Sequence, residues 1–300
     1  MLVMDSGVRR TENHIIMIFR SREQTDMITS SNNAKVKQVV QWQTKAKERR
    51  KDHVFLAEGV RMCEEAPVKS VREVYLTEEL EQKLWQNAQN GDTAFWDKLQ
   101  QTGYETVSPE VFAKMADTQT PQGILTVLEQ PSYDLAQLLE QSEPLFLILE
   151  NLQDPGNLGT MIRTGEGAGI TGVIMNGQTV DIFNPKTIRA TMGSIFRVPF
   201  VYVPELSPVL TQMHEKGIHT YAAHLKGKEY YDSFSFREPT AFLIGNEGNG
   251  LTKEISDQSG QYLKIPMEGK VESLNASIAA ALLMYEAHRQ RNLNSLHNSK

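Results

Sequence analysis

The sequence predicts an α/β protein with a parallel-sheet domain in its C-terminal half and a smaller α/β unit ahead of it. Three observations lead there. Short apolar runs alternate with helix-like segments from residue 145 onward, the pattern of repeated βαβ units. A second alternating set spans residues 32 to 128, separated from the first by a polar stretch carrying Pro131. Three polar clusters each follow an apolar run of the second half, where strand ends of a parallel sheet gather side chains into one site.

Residues 1–26 carry no sustained periodicity and read as a poorly ordered extension, with Met27-Ile28-Thr29-Ser30 the more natural beginning. The first unit, 27–130, opens with Val36, Val39 and Val40 at helical spacing. His53–Ala57 and Val71–Leu76 read as strands, with a helix starting near Gly59 between them. Thr106–Glu110 leads into a short helix through Met115, and Ile124–Leu128 closes the unit as a strand. Residues 131–143 form the expected linker.

In the second domain, 144–292, Leu145–Leu149 is apolar throughout, as expected of a strand covered on both faces. Residues 172–175, 220–223, 240–244 and 262–265 are the other strands, and helices fall near 156–168, 185–194, 206–216 and 250–257. In the last helix Leu274, Ile278, Ala281, Leu282 and Tyr285 form one apolar stripe. Residues 293–300 read as a polar tail.

Composition limits the function classes. The apolar fraction of 40% supports packed cores, yet no run nears the roughly 20 apolar residues of a membrane span. Ile15–Phe19 is too short, and no small-residue cleavage site follows it. The single cysteine, Cys63, excludes an internal disulfide framework, fits a reducing cytoplasm and reads as a buried structural residue. Net charge is −6, but Lys35, Lys37, Lys45, Lys47, Arg49, Arg50 and Lys51 face one acid, Glu48. Such a run is commonly a solvated helix face. At the start of a small separate unit it points to contact with nucleic-acid phosphates.

The first polar cluster runs from Asn151 to Arg163. Asp154-Pro155 is a strong helix start, an acidic cap before a proline whose missing N–H costs nothing at that place. Asn157 and Arg163 lie six residues apart, about 240° around a helix, so only the surrounding fold can bring both to one site. The second cluster, Gly245-Asn246-Glu247-Gly248-Asn249-Gly250-Leu251, follows the apolar run ending at Ile244 and lets the backbone approach a ligand closely. Glu247, its only acid, is suited to bonding ligand hydroxyls, to orienting a partner or to a plain surface turn. A dinucleotide fingerprint fails here: the glycines are in the wrong order, and Gly165-Glu166-Gly167-Ala168-Gly169 follows a helix, not a strand. The third cluster joins Ile265-Pro266-Met267 to Glu272, Ser273, Leu274 and Asn275 at the start of the last helix. Ser273 fits a plain cap, but three polar residues exceed what a cap requires. His214, His219 and His224 lack a partner set, so no metal is expected.

These clusters, in order and content, resemble motifs one, two and three of the SpoU/TrmH-type RNA 2′-O-ribose methyltransferases of the SPOUT class, over roughly residues 145–289. The segment 35–128 resembles, less specifically, the small substrate-binding domain that often precedes them. The resemblance implies a trefoil knot, an S-adenosylmethionine cofactor, an RNA substrate (rRNA sooner than tRNA) and a homodimer. By motif position it implies functional roles for Asn157, Arg163, Glu247, Ser273 and Asn275. It implies cofactor contacts at Gly245, Ile265, Leu274, Thr191 and Met267, with Arg189–Ser194 matching the loop between motifs one and two. Ala276 departs from the larger β-branched residue of many relatives, a difference expected to touch packing. An RNA base methyltransferase and a non-catalytic RNA-binding or assembly factor are the competing readings. A guanidinium stays protonated above pH 12, so Arg163 is expected to grip phosphate and steady developing oxyanion charge rather than act as a base.

Overall fold

The computed structural model describes residues 26–270 and 273–297, without the side chains of 293–297. The expectations for residues 1–25, for Glu272 and for the tail beyond 297 lie outside it.

The first unit begins with α1 (Ala34–Thr44), whose cap Asn33 accepts from the Lys35 N–H, and α2 (Ala46–Asp52), entered through the extended Lys45. The cationic run is thereby split over two short helices. Then follow β1 (Val54–Glu58), α3 (Val60–Glu65), β2 (Val71–Thr77), α4 (Glu78–Gln89), α5 (Ala94–Thr102), β3 (Glu105–Val107), α6 (Pro109–Met115) and β4 (Ile124–Glu129). The sheet order is β1-β4-β2-β3, with β4 antiparallel to both neighbours and β3 parallel to β2. Sequence reading passed over α4, α5 and β3. The polar α4 buries only Leu80, Leu84 and Ala88, a narrow stripe, and three residues of β3 are too few to show alternation.

The expected linker carries α7 (Leu135–Leu139), whose Leu138 and Leu139 pack with Phe146 and Ile148 in the core of the second sheet. Those two leucines thus join the linker segment to that core. Next come β5 (Leu145–Leu149), α8 (Pro155–Ala168), β6 (Gly172–Asn176), α9 (Pro185–Thr191), β7 (Phe200–Val203), α10 (Ser207–Glu215), β8 (His219–Ala223) and β9 (Glu229–Tyr230). β10 (Thr240–Ile244), α11 (Lys253–Gln258), β11 (Gln261–Lys264) and α12 (Ala276–His297) complete the chain. The seven strands run parallel in the order β7-β6-β5-β10-β8-β11-β9. β10 follows β8 in sequence yet lies between β5 and β8. That placement sets the carboxyl ends of β5 and β10, and thus the first two polar clusters, side by side.

The two units share one apolar core: Phe55 of β1 lies 4.9 Å from Phe183, ring to ring, and Met62 and Leu128 pack into the same cluster as Ile188 and Phe200. Ion pairs lock the join, Arg49 to Asp181 at 2.6 Å, Arg197 to Glu65 at 2.8 Å, and Arg189 to Asp117.

Three members of the expected apolar stripe face outward on α12, although an amphipathic helix ordinarily turns such a stripe to the core, while Leu274 precedes the helix and Ala281 is half-buried. Ile278, Leu282 and Tyr285 are 50%, 37% and 49% exposed, while Ala280, Leu283, Met284 and Ala287 are buried. The buried face packs on α8, where a Cβ on Gly165 would meet Met284 Sδ at 3.5 Å. The inner face thus mixes Ala280 and Ala287 with Leu283 and Met284, and Ile278, Leu282 and Tyr285 are left outside.

Candidate active site

Motif one begins where β5 ends. Asn151 sits in the left-handed region at φ 56°, a conformation Asn tolerates well, and exchanges bonds with Asn176 at the end of β6. Asp154 caps α8 by accepting from the Asn157 N–H at 2.8 Å, and that bond holds its carboxyl below the ordinary range. Asn246, at the end of β10, donates to the Asn151 carbonyl at 2.9 Å and ties the second cluster to the first. Asn176 and Asn246 had no role assigned from sequence, although Asn176 directly follows an apolar run and Asn246 follows one after Gly245.

Glu247 faces the first cluster. Its carboxylate accepts from the N–H groups of Gln153 (3.1 Å) and Asp154 (2.9 Å) and from Asn157 Nδ2 (3.1 Å). Burial pushes this carboxyl up, but the donors of Asp154, Asn157 and Gln153 together outweigh it and hold the group below its usual value. With its oxygens engaged, Glu247 orients the motif-one turn. Asn275 continues the chain, donating through Nδ2 to Asn157 Oδ1 at 2.9 Å. Its own Oδ1 accepts from the Ser277 N–H (2.9 Å) and Oγ (2.6 Å). Asn275, not Ser273, therefore caps α12.

Beside this network lies a cavity of about 410 Å³. Gly245, Glu247, Ile265, Met267, Ser273 and Leu274 all line it. Ala223, His224, Leu225 and Lys226, from the end of β8, line it too and were not proposed from sequence, because only the position of β8 beside β10 reveals them. Gly245 has no substitute: a Cβ there would lie 2.1 Å from the Gly250 carbonyl carbon and the Leu251 nitrogen. Ala276 lines the cavity, so its small size bears on pocket room as well as on packing. The mixture of aliphatic walls (Ile244, Leu251, Ile265, Leu274), glycine backbone and one acid suits an adenosine with a charged tail.

Three expected residues stand elsewhere. Thr191 is fully buried, donates to the Ile188 carbonyl and does not line the cavity. Arg163 is exposed on α8, about 9 Å along the axis from Asn157, and makes no hydrogen bond or ion pair with the described residues. Arg49, expected as a phosphate contact, is 2% exposed, donates to the carbonyls of Trp42 and Gln43 and pairs with Asp181. It joins the units because its neighbours Trp42 and Gln43 are themselves buried. Lys35 pairs with Glu105, whereas Lys37, Lys45, Lys47, Arg50 and Lys51 are exposed.

The histidines are occupied otherwise. His214 Nε2 is 2.7 Å from Thr220 Oγ1, and His224 stacks on Tyr262 at 4.9 Å. Among the described residues no group of three or more His, Cys, Asp or Glu is placed to hold a metal, and no helix is long and apolar enough to cross a membrane.

Comparison with known proteins covers both units. The model of the SpoU rRNA Methylase family matches residues 144–285, and that of the MRM3-like substrate binding domain matches 33–126. The 23S rRNA (guanosine(2553)-2′-O)-methyltransferase RlmP of Bacillus subtilis is 34% identical over 86% of this chain and 97% of its own. The AdoMet-bound rRNA methyltransferase from Sinorhizobium meliloti superposes with a TM-score of 0.76 at 29% identity, over 88% of this chain and 97% of that one. AviRb of Streptomyces viridochromogenes in complex with AdoMet gives 0.74 at 27%, over 87% and 99%.

Proposed function

This chain belongs to the SpoU rRNA methylase family, and we propose that it transfers a methyl group from S-adenosylmethionine to a ribose 2′-hydroxyl of ribosomal RNA. The observation that carries the reading is the bonded chain Asn275–Asn157–Glu247, which ties the first motif loop to the second and third, whose residues wall one cavity. Gly245, Ile265, Met267, Leu274 and Ser273 would hold the cofactor. Bound there, it would supply an electrophilic sulfonium methyl group for the ribose oxygen, with the thioether as leaving group and the hydroxyl proton passing to solvent water.

The protein's part is to position the hydroxyl and stabilise charge. Glu247 and Asn275 fix Asn157 beside the cavity. Arg163, always charged, grips a substrate phosphate and steadies the developing oxyanion. Lys37, Lys45, Lys47, Arg50 and Lys51 supply free cations for the RNA backbone.

A homodimer belongs to the same reading. Arg163 and Gly167 share a face of α8, Gly167 lies beside the Tyr285 hydroxyl, and Tyr285 continues the exposed stripe of Ile278 and Leu282. A second copy covering that stripe would bring Arg163 to its partner's cavity. The insertion of β10 between β5 and β8 supports a trefoil crossing of the chain, and the substrate class together with one buried thiol supports a cytoplasmic setting.

The test is methyl-labelled S-adenosylmethionine with unmodified ribosomal RNA. Label recovered in a 2′-O-methylnucleoside is expected; label in a base, in tRNA alone, or none would replace this reading with one of its rivals.

A further inference from the structure

The segment from Asp181 to Lys186 joins two regions that the proposed reaction needs. At its near end, the buried Arg49 pins α2 to Asp181. The next residue, Arg50, is exposed, and within the segment the Ile182 N–H donates to the Tyr202 hydroxyl at 2.9 Å. At its far end, Asn184 caps α9, and Lys186 projects over the start of α8. The Lys186 ammonium lies 3.4 Å from Asp154 Oδ2, and a Cβ on Gly156 would come within 3.5 Å of Lys186 Cε. Asp154 and Gly156 lead directly into Asn157, the middle member of the bonded chain.

The pairing of Lys186 is a loose one. Its side chain is 58% exposed and that of Asp154 is 46% exposed. Such exposed pairs contribute little, while Asp154 keeps its stronger bond from the Asn157 N–H. Lys186 can therefore leave Asp154 for another anion without disturbing the cap.

We propose that Lys186 holds a backbone phosphate of the RNA beside the target nucleotide, continuing the cations of α2 to the mouth of the catalytic cavity. This rests on the reading that the cavity serves RNA methylation. The Arg49–Asp181 pair then fixes the spacing between the basic helix and Lys186, and the strand is led from the first unit to the site along one edge of the molecule. Lys186 is a positioning residue: it places the nucleotide and takes no part in bond making.

The experiment compares wild type, Lys186→Gln and Lys186→Arg on unmodified ribosomal RNA transcripts. Lys216→Gln, which removes a surface cation paired with Glu140, is the control. For Lys186→Gln the KM for RNA is expected to rise about three- to tenfold, with kcat affected far less. The slope of log KM against log salt should shrink by about 0.7 to 0.9, the value of one phosphate contact. S-adenosylmethionine affinity, measured without RNA, should stay at the wild-type value, and Lys186→Arg should recover most of the KM. An unchanged RNA KM and salt slope in an otherwise active enzyme would overturn the proposal, as would a loss confined to cofactor affinity. If the wild type transfers no methyl group to RNA, the underlying functional reading fails instead, and this inference falls with it.

Discussion

The polar residues around the cavity and the cations of α1 and α2 look alike in the sequence: dense polar runs at helix starts. They fold into opposite arrangements. Around the cavity, Glu247, Asn157, Asn275, Asn246 and Asn151 spend their polar atoms on one another and on nearby backbone. On α2, Lys47, Arg50 and Lys51 point to solvent, and only Arg49 is drawn inside. Placing a reacting hydroxyl demands atoms fixed in advance, whereas gripping a phosphate backbone demands charges free to exchange small ions for RNA. Arg163 belongs to the first region by position and to the second by behaviour, since it rides on the helix that Asp154 caps yet stays unbonded among the described residues.

That ambiguity gives the largest expected effect. Arg163→Ala should lower kcat/KM on RNA by about 10²- to 10³-fold, the usual cost of losing a donor to developing charge. Arg163→Lys should recover little of it, because an ammonium keeps the charge and loses the planar fork. Neither change should move the melting temperature, as no bond within the described chain is lost. A variant that melts early would assign Arg163 to the fixed network, and a near-normal Lys variant would discard bidentate gripping.

Within α2 the same contrast can be drawn between adjacent residues. Arg49→Ala strands Asp181 and the carbonyls of Trp42 and Gln43, and should cost about 3 kcal/mol in urea unfolding. Arg50→Ala, one residue on and exposed, should leave stability within about 0.5 kcal/mol and weaken RNA binding several-fold instead. If the two variants behaved alike in both assays, burial would not be what divides structural from substrate-facing cations.

The fold was legible where periodicity is strong. Leu145–Leu149, apolar throughout, and Thr240–Ile244, apolar after its first residue, emerged with the expected bounds, and the Asp154-Pro155 start of α8 is where capping chemistry puts it. The site was legible as three loops, but its wiring was not. Nothing in local sequence says that β10 inserts between β5 and β8, and that insertion alone brings Glu247 to the N–H groups of Gln153 and Asp154. The same limit hid the pocket contribution of β8. Arg49 and the α12 stripe failed for a related reason. Charge and bulk predict exposure or burial on average, but α12 buries Ala280, Leu283, Met284 and Ala287, a face offset from the stripe, and Arg49 is buried where the two units join.

The smallest effect separates an orienting carboxylate from a catalytic one. Glu247 has a carboxyl held below its ordinary value of 4.5 in the folded protein. A depressed carboxyl contributes stability above its unfolded pKa and loses that contribution as pH falls through the folded pKa. Glu247→Gln should therefore melt a few degrees below wild type at pH 7, and the gap should close as pH drops through and below 4.5. Asp154, held down by the Asn157 N–H, loses its contribution in the same acid range, so Glu247→Gln reduces the acid sensitivity without abolishing it. A general base at this position would give a different signature: the rising limb of kcat against pH would vanish in the Gln variant. With three N–H donors on its oxygens, Glu247 should leave the shape of that profile unchanged and lower only its height, because Asn157 and the turn before α8 would lose their anchor.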